Sequence, residues 1–146
     1  MKIYSFALIA PVAVVASLLT SSCASTSQLA AESYTVDVTA TYRERILLTP
    51  GHRMTVTVSD VSVADIASPV LARTEIELQP VAPPYRLSIQ VPADRVVPNR
   101  QYAVSAEIHD ADGNLRFTTD TRHSVLTHGA SNSVNIVLIG VGRSLE

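Results

Sequence analysis

The feature that most constrains this chain is a strict alternation of apolar and polar side chains, which begins at Tyr34. Side chains of a β-strand point alternately to opposite faces, whereas a helix repeats every three to four residues. The first run alternates from Tyr34 to Arg43, and the pattern returns near residues 54–58, 72–78, 85–91, 102–108, 115–119 and 134–138. The sequence therefore predicts about seven strands, each with one face directed toward a core.

Turn-forming residues separate these runs. Seven of the eight prolines lie between the predicted strands, where a missing amide donor does least harm to a ladder. Residues 110–114, Asp-Ala-Asp-Gly-Asn, connect two runs and predict a hairpin turn. They also resemble the start of a calcium loop, but the distal bidentate glutamate of such a loop is missing. The pattern predicts an all-β fold, a small antiparallel β-sandwich, with an open barrel as the nearest alternative.

The first residues have the layout of a secretory signal. Lys2 precedes an apolar stretch from residue 3 to residue 19, and small polar residues follow it. A transmembrane helix is the competing interpretation, but a span needs about 20 apolar residues, and this stretch is shorter and contains Pro11. We therefore expect export from the cytoplasm.

Cys23 is the only cysteine, and it follows the apolar stretch directly. It cannot form an internal disulfide, and residues 19–23, Leu-Thr-Ser-Ser-Cys, resemble the lipobox of bacterial lipoproteins, although Thr20 stands where leucine is usual. We expect lipid on Cys23, and Ala24 after it implies sorting to the outer membrane, on the periplasmic face. Ordinary cleavage after Ala24, which would leave a soluble periplasmic protein, is the alternative.

Length and composition allow one domain. The 146 residues divide into a signal peptide at 1–22, the lipidated cysteine and a tether at 23–33, and a β-sandwich domain at 34–146. Charged residues make up 16% of the chain and the formal charge is −2, which argues against nucleic acid as a partner. We expect no cofactor.

No residue set predicts catalysis or metal binding. The sequence has neither a Gly-x-Ser-x-Gly nucleophile motif nor a glycine-rich phosphate loop. Asp60 and Asp65 could be imagined as an acid and base pair, and His109, His123 and His128 as a metal cluster, but their spacings match no established pattern. We therefore expect a protein that is not an enzyme.

Several motifs are similar to the signature of the YbaY/YscW family of lipoproteins. The most specific is Asp60, Ser62, Ala64 and Asp65 in the segment 56–65. The others are the following: Arg45 in residues 42–45, Pro50 and Gly51 in residues 48–51, and the segments 84–85, 102–108, 112–113, 117–119 and 125–127. Thr49 departs from the family, where a second proline is usual. The similarity covers about residues 34–141.

The resemblance implies a β-sandwich lipoprotein and two alternative functions. The YscW-like branch consists of pilotins of type III secretion, which bind the tail of a secretin subunit and carry it to the outer membrane. The YbaY-like branch consists of general envelope lipoproteins. We expect the motif residues to serve the fold: Asp60 and Ser62 should hold a turn by bonding to the backbone, and Asp65 should do likewise or pair with Arg45.

We therefore predict an outer-membrane-anchored binding or assembly module, with pilotin-like chaperone activity for a secretin as its most concrete form. Lipid on Cys23 would anchor such a module to the membrane, and its folded domain would bind a secretin tail or another envelope protein. The alternative is a general envelope lipoprotein, or an envelope enzyme or ligand carrier that acts on cell-wall or surface polysaccharide.

Overall fold

A computed structural model describes residues 32–142, which contain eight β-strands and one short 3-10 turn. The elements are β1 (Ser33–Tyr42), β2 (Arg53–Asp60), β3 (Val70–Glu77), β4 (Tyr85–Pro92), the 3-10 turn (Ala93–Arg95), β5 (Tyr102–His109), β6 (Leu115–Thr118), β7 (His123–Val125) and β8 (Ser133–Gly140). Within this range, no helix is long and apolar enough to cross a membrane. The all-β prediction is confirmed.

The strands form two layers that are continuous along one side. The order is β3-β2-β5-β6-β8-β1-β4, with β7 paired to β5. In the described residues the ladder between the layers has two residue pairs, Phe117 with Gly140 and Thr118 with Ile139, and the Val141 N–H extends it by donating to the Arg116 carbonyl at 2.8 Å. On the opposite side β3 and β4 approach each other, and Arg95 Nη1 donates a hydrogen bond to the Leu71 carbonyl at 2.8 Å. The sandwich therefore approaches a closed barrel.

Two details differ from the sequence prediction. β1 and β8 are parallel, in register from Asp37 with Ser133 to Tyr42 with Leu138, so the sheet is not purely antiparallel. Alternation reports which face a side chain occupies but not the direction of a neighbouring strand, so this pairing left no local signal. The eighth strand, β7, has only three residues, too few to show an alternation.

The core has the predicted register. Of eight large side chains taken from the inward positions of four of the predicted strands, six are fully buried: Val56, Val58, Ile89, Val104, Ile108 and Ile136. The other two, Leu87 and Val134, are half-buried and pack against the same core. One continuous apolar cluster therefore fills the space between the two layers.

The two ends of the domain differ in which segments they carry. The entry end, where the chain reaches β1, holds the connections 61–69, 93–101 and 126–132. The far end holds the connections 43–52, 78–84 and 110–114 and the end of β8. β1 has ten residues, so the two ends lie about 30 Å apart.

Candidate functional site

Exposed apolar side chains fall into two groups, one at each end of the domain. The far-end surface consists of Ile46, Leu47, Val137, Ile139 and Val141. The entry-end surface consists of Tyr34, Val63, Ile66, Val70 and Val97. Val81 is exposed at the far end too, but it lies in the connection that enters β4 and is not counted in the far-end surface. Clustered exposed apolar side chains are more typical of binding surfaces than scattered ones.

The far-end surface borders a groove over the second half of β8. The groove encloses about 550 Å³. Its floor is formed by Asn135 and residues 137–140, and its walls are Arg43 and Glu44 on one side and Asp120, Thr121 and His123 on the other. β8 pairs with β1 along residues 133–138 but with β6 only at Ile139 and Gly140. The groove therefore lies where the chain leaves β6 and crosses to β7, which pairs with β5 instead of β8.

Glu44 joins the first connection to the end of β8. Its Oε1 accepts a hydrogen bond from the backbone N–H of Gly140 at 3.2 Å. Tyr42 supports the same connection, because its hydroxyl donates to the carbonyl of Ile46 at 3.0 Å and its ring stacks on Phe117 at 4.7 Å between centroids. The exposed side chains of Ile46 and Leu47 therefore project from a segment that is held in place.

The groove combines an apolar floor with charged walls. Val137 and Ile139 expose side chains along the floor, while Arg43, Glu44 and Asp120 place charges of both signs at its margins. An apolar stripe between charged borders is complementary to an amphipathic peptide segment, whose polar sides would meet the margins. The arrangement is thus suited to binding such a segment.

Asp60 organises the entry end. Its Oδ1 accepts a hydrogen bond from the Ser62 N–H at 2.9 Å, and its Oδ2 accepts one from Arg100 Nη1 at 2.7 Å. Ser62 Oγ accepts the Gln101 N–H at 2.8 Å, and the Val61 N–H donates to the Gln101 carbonyl. Asp60 thus bonds to the backbone of the turn that follows β2, and Ser62 and Asp60 together fasten the connection 61–69 to the connection 93–101.

The ionisation of Asp60 follows from these bonds. Hydrogen bonds from Ser62 and Arg100 lower the pKa of the Asp60 carboxyl, and desolvation opposes them in part. The side chain is only 8% exposed, whereas that of Arg100 is 49% exposed. Because the carboxylate is occupied by structural donors, it is not available as an acid or base.

The remaining motif residues lie apart from one another. Ala64 and Asp65 are exposed in the connection after β2, at the entry end, while Arg45 and Pro50 are exposed at the far end. Within residues 32–142, no ion pair joins Asp65 to Arg45, which was one of the two roles considered for Asp65. The two residues lie at opposite ends of a domain that is about 30 Å long.

Gly51 is required by its turn. Its φ is +93°, and a Cβ atom there would lie 2.9 Å from the Cβ of Ala111. His52 closes the turn, because its Nδ1 lies 2.8 Å from the Thr49 carbonyl. The motif at residues 48–51 therefore packs the first connection against the turn 110–114.

Residues 110–114 form the predicted hairpin turn. Asp110 Oδ1 accepts the backbone N–H groups of Asp112 and Asn114, at 3.1 and 2.8 Å. These bonds lower the pKa of Asp110, with the Asn114 backbone bond as the largest cause. The carboxylate therefore serves the turn. In the part of the chain that the structure describes, no group of three or more metal-ligating side chains occurs.

Cys23, the expected lipidation site, lies outside the described residues. Arg100 and Glu44 contribute to the two ends of the domain, but the sequence did not predict either role. Arg100 is 40 positions from Asp60, and Glu44 is 96 positions from Gly140. Neither pairing leaves a local pattern, although the position of Glu44 within the motif segment 42–45 was a signal that could have singled it out.

Comparison with known proteins gives three matches. Residues 31–138 match the family described as "Type III secretion system lipoprotein chaperone (YscW)". The uncharacterized lipoprotein YbaY of Escherichia coli (strain K12) is 34% identical over 113 residues, which are 77% of this chain and 58% of that protein. The chain thus spans less than two thirds of the length of that relative.

The third match is a solved structure. An alternative pilotin from the type II secretion system of Vibrio cholerae is similar with a TM-score of 0.72 and 33% sequence identity. The match covers 76% of this chain and 99% of that chain. Sequence and fold therefore indicate the same group of relatives.

Proposed function

The chain belongs to the YscW family of type III secretion system lipoprotein chaperones, as its motifs predicted, and from this we propose that it is a membrane-anchored module that binds a secretin subunit and delivers it to the outer membrane. In this proposal lipid on Cys23 holds the protein to the membrane, and the folded domain holds the cargo. The likeness to a solved pilotin supports the same role.

The observation that carries the proposal is the apolar groove over β8. Its exposed floor residues, Val137 and Ile139, lie between walls that carry charges of both signs. A short amphipathic helix at the tail of a secretin subunit has the matching chemistry, because its apolar face would cover the floor and its polar sides would meet the walls. We assign the secretin tail to this groove.

The position of the groove fits delivery. The chain from Cys23 enters β1 at the entry end, while Ile139 lies toward the far end, about 30 Å away along the strands. A membrane anchor at one end therefore leaves the groove facing the periplasm. Cargo bound there would be held beside the membrane without being covered by it.

The test is capture from detergent-solubilised envelopes with the full-length lipoprotein as bait. We expect secretin subunits to be recovered with the wild type and to fall at least about tenfold with Val137→Asp and Ile139→Asp combined, because charges on the floor oppose burial of an apolar face. The matched control is Val81→Asp, since Val81 is also exposed at the far end but does not line the groove. Equal recovery by both variants would contradict the assignment of the groove.

A second experiment separates binding from delivery. Cys23→Ser removes the proposed acylation site but leaves the groove intact. We expect this variant to capture the secretin in solution and to lose secretin rings from the outer membrane fraction. Normal rings with Cys23→Ser would show that the lipid is not needed for delivery.

We propose as the second candidate a general envelope lipoprotein that has no secretin partner, since the YbaY relative is described as a lipoprotein without a stated role. In that case the capture experiment would recover other envelope proteins through the same groove, and deletion of the gene would leave secretin rings unchanged. The two roles therefore differ in one measurement, the amount of assembled secretin.

A further inference from the structure

We propose that the entry-end surface rests on the phospholipid bilayer, so that the domain is oriented by its own apolar loops as well as by its anchor. This inference rests on the lipid anchor of the proposed function. Its occupant is the bilayer interface, and its residues are exposed apolar side chains of the connections after β2 and β4, above all Val63, Ile66 and Val97.

The length of the chain before β1 determines which end faces the membrane. Residues 24–32 separate Cys23 from β1, and nine residues reach about 30 Å when fully extended. The domain is itself about 30 Å long between its two ends. If the far end lay on the bilayer, this segment would have to be fully extended along the whole length of the domain. The entry end is therefore the one that the anchor holds close to the lipid.

The apolar side chains are presented by loops that are tied together. Ser62 and Asp60 bind Gln101 and Arg100, which joins the connection after β2 to the connection after β4. The connection after β4 is also bonded to the core, because the Val97 N–H donates to the hydroxyl of the buried Tyr102 at 2.8 Å. Val63 and Ile66 on one loop and Val97 on the other are thus held on a common support instead of collapsing into the core.

Hydrophobic contact, rather than charge attraction, would hold this surface. The charged residues of the entry end are of both signs: Arg95 and Arg100 against Glu32, Asp60, Asp65 and Asp94. Asp60 and Arg100 neutralise each other in their ion pair. The exposed carboxylates of Asp65 and Asp94 keep the contact at the level of the headgroups, since charged groups are costly deeper in the bilayer.

The sequence contains no tryptophan, so the fluorescence of a single introduced tryptophan comes from one known position. Ile66→Trp probes the entry-end surface and Val81→Trp is the matched control, because the two side chains are 58% and 57% exposed and lie at opposite ends. Each full-length lipoprotein is purified from envelopes and reconstituted into phosphatidylcholine vesicles, with and without lipids brominated near the headgroup. Tryptophan favours the membrane interface, so it also fits the proposed contact.

We expect bromolipids to quench Ile66→Trp strongly, with a blue shift of its emission, and to leave Val81→Trp nearly unchanged. Val63→Asp added to Ile66→Trp should reduce the quenching. Replacing a fraction of the lipid with phosphatidylglycerol should not increase it, because the surface has no excess of positive charge.

Three results would overturn the proposal: no quenching of either tryptophan, equal quenching of both, or a blue shift of Ile66→Trp that needs higher protein concentration but no lipid. The last result would indicate a second copy of the chain on this surface. Mass spectrometry of the same samples shows independently whether Cys23 carries lipid. If Cys23 is unmodified, the anchor of the proposed function fails, and coupling this sole cysteine to a maleimide lipid allows the same comparison to decide the membrane contact.

Discussion

Glu44 Oε1 lies 3.2 Å from the backbone nitrogen of Gly140 and would lie 2.8 Å from a Cβ atom at that position. The absence of a side chain at residue 140 is therefore what admits the carboxylate, and the carboxylate in turn forms one wall of the groove. A pair of residues 96 positions apart thus shapes the surface to which we assign the secretin tail.

The first prediction is that Gly140→Ala weakens capture of the secretin while stability changes by less than about 1 kcal/mol. The atom in the way is the far end of a flexible side chain, so Glu44 can swing aside at little cost to the fold. Capture and urea denaturation measure the two effects.

Gly51→Ala is the opposite case and serves as the control. Its φ of +93° is unfavourable for alanine, and its Cβ would meet Ala111, which cannot swing aside. We expect a loss of about 1–3 kcal/mol in the free energy of unfolding. Equal stability of the two variants would show that the close approach at residue 51 is relieved by movement of the turn.

The second prediction concerns pH. The pKa of Asp60 is lower in the folded protein than the ordinary value, so its ionised form stabilises the fold above about pH 4, and this contribution is lost as the pH falls through the folded pKa. Asp60→Asn should therefore be less stable than the wild type by about 1–2 kcal/mol at pH 7, and the gap should close below about pH 4.

Thermal unfolding of the two proteins from pH 7 to acid measures this gap. Asp65→Asn is the control, because Asp65 is exposed and makes no ion pair among residues 32–142. A gap between wild type and Asp60→Asn that stays constant with pH would mean that the carboxylate charge does not contribute.

The third prediction tests strand register in β4. Ile89 is buried and Ser88 beside it is exposed. Ile89→Ala should cost about 2–5 kcal/mol because it removes apolar contacts and leaves a cavity, whereas Ser88→Ala should change stability by about 0.5 kcal/mol or less. Chemical denaturation decides, and similar losses at both positions would refute the register.

The fourth prediction is that Cys23 carries acyl chains in the mature protein. Two or more chains anchor a protein stably, since each buried methylene contributes about 0.8 kcal/mol. Intact mass and peptide mass spectrometry of protein purified from envelopes measure the modification. An amino terminus beyond residue 23, or a free thiol, would refute it.

Sequence by itself determined seven of the eight strands, their inward faces and the turn at 110–114. These features are local: alternation places Val56 and Val58 on one face, and Asp110, Gly113 and Asn114 form the turn through bonds to near neighbours. The resemblance of residues 56–65 to the family signature was also visible in the chain alone, and it predicted the family that the comparisons confirm.

Only the tertiary structure decided which strands meet and which side chains meet across them. The parallel pairing of β1 with β8, the bond of Asp60 to Arg100 and that of Glu44 to Gly140 join residues that are 40 or more positions apart. An alternating pattern states which face a residue occupies but not which distant strand lies beside it. The division of exposed apolar side chains between two ends of one barrel-like sandwich follows from that pairing, so no pattern along the chain could reveal it.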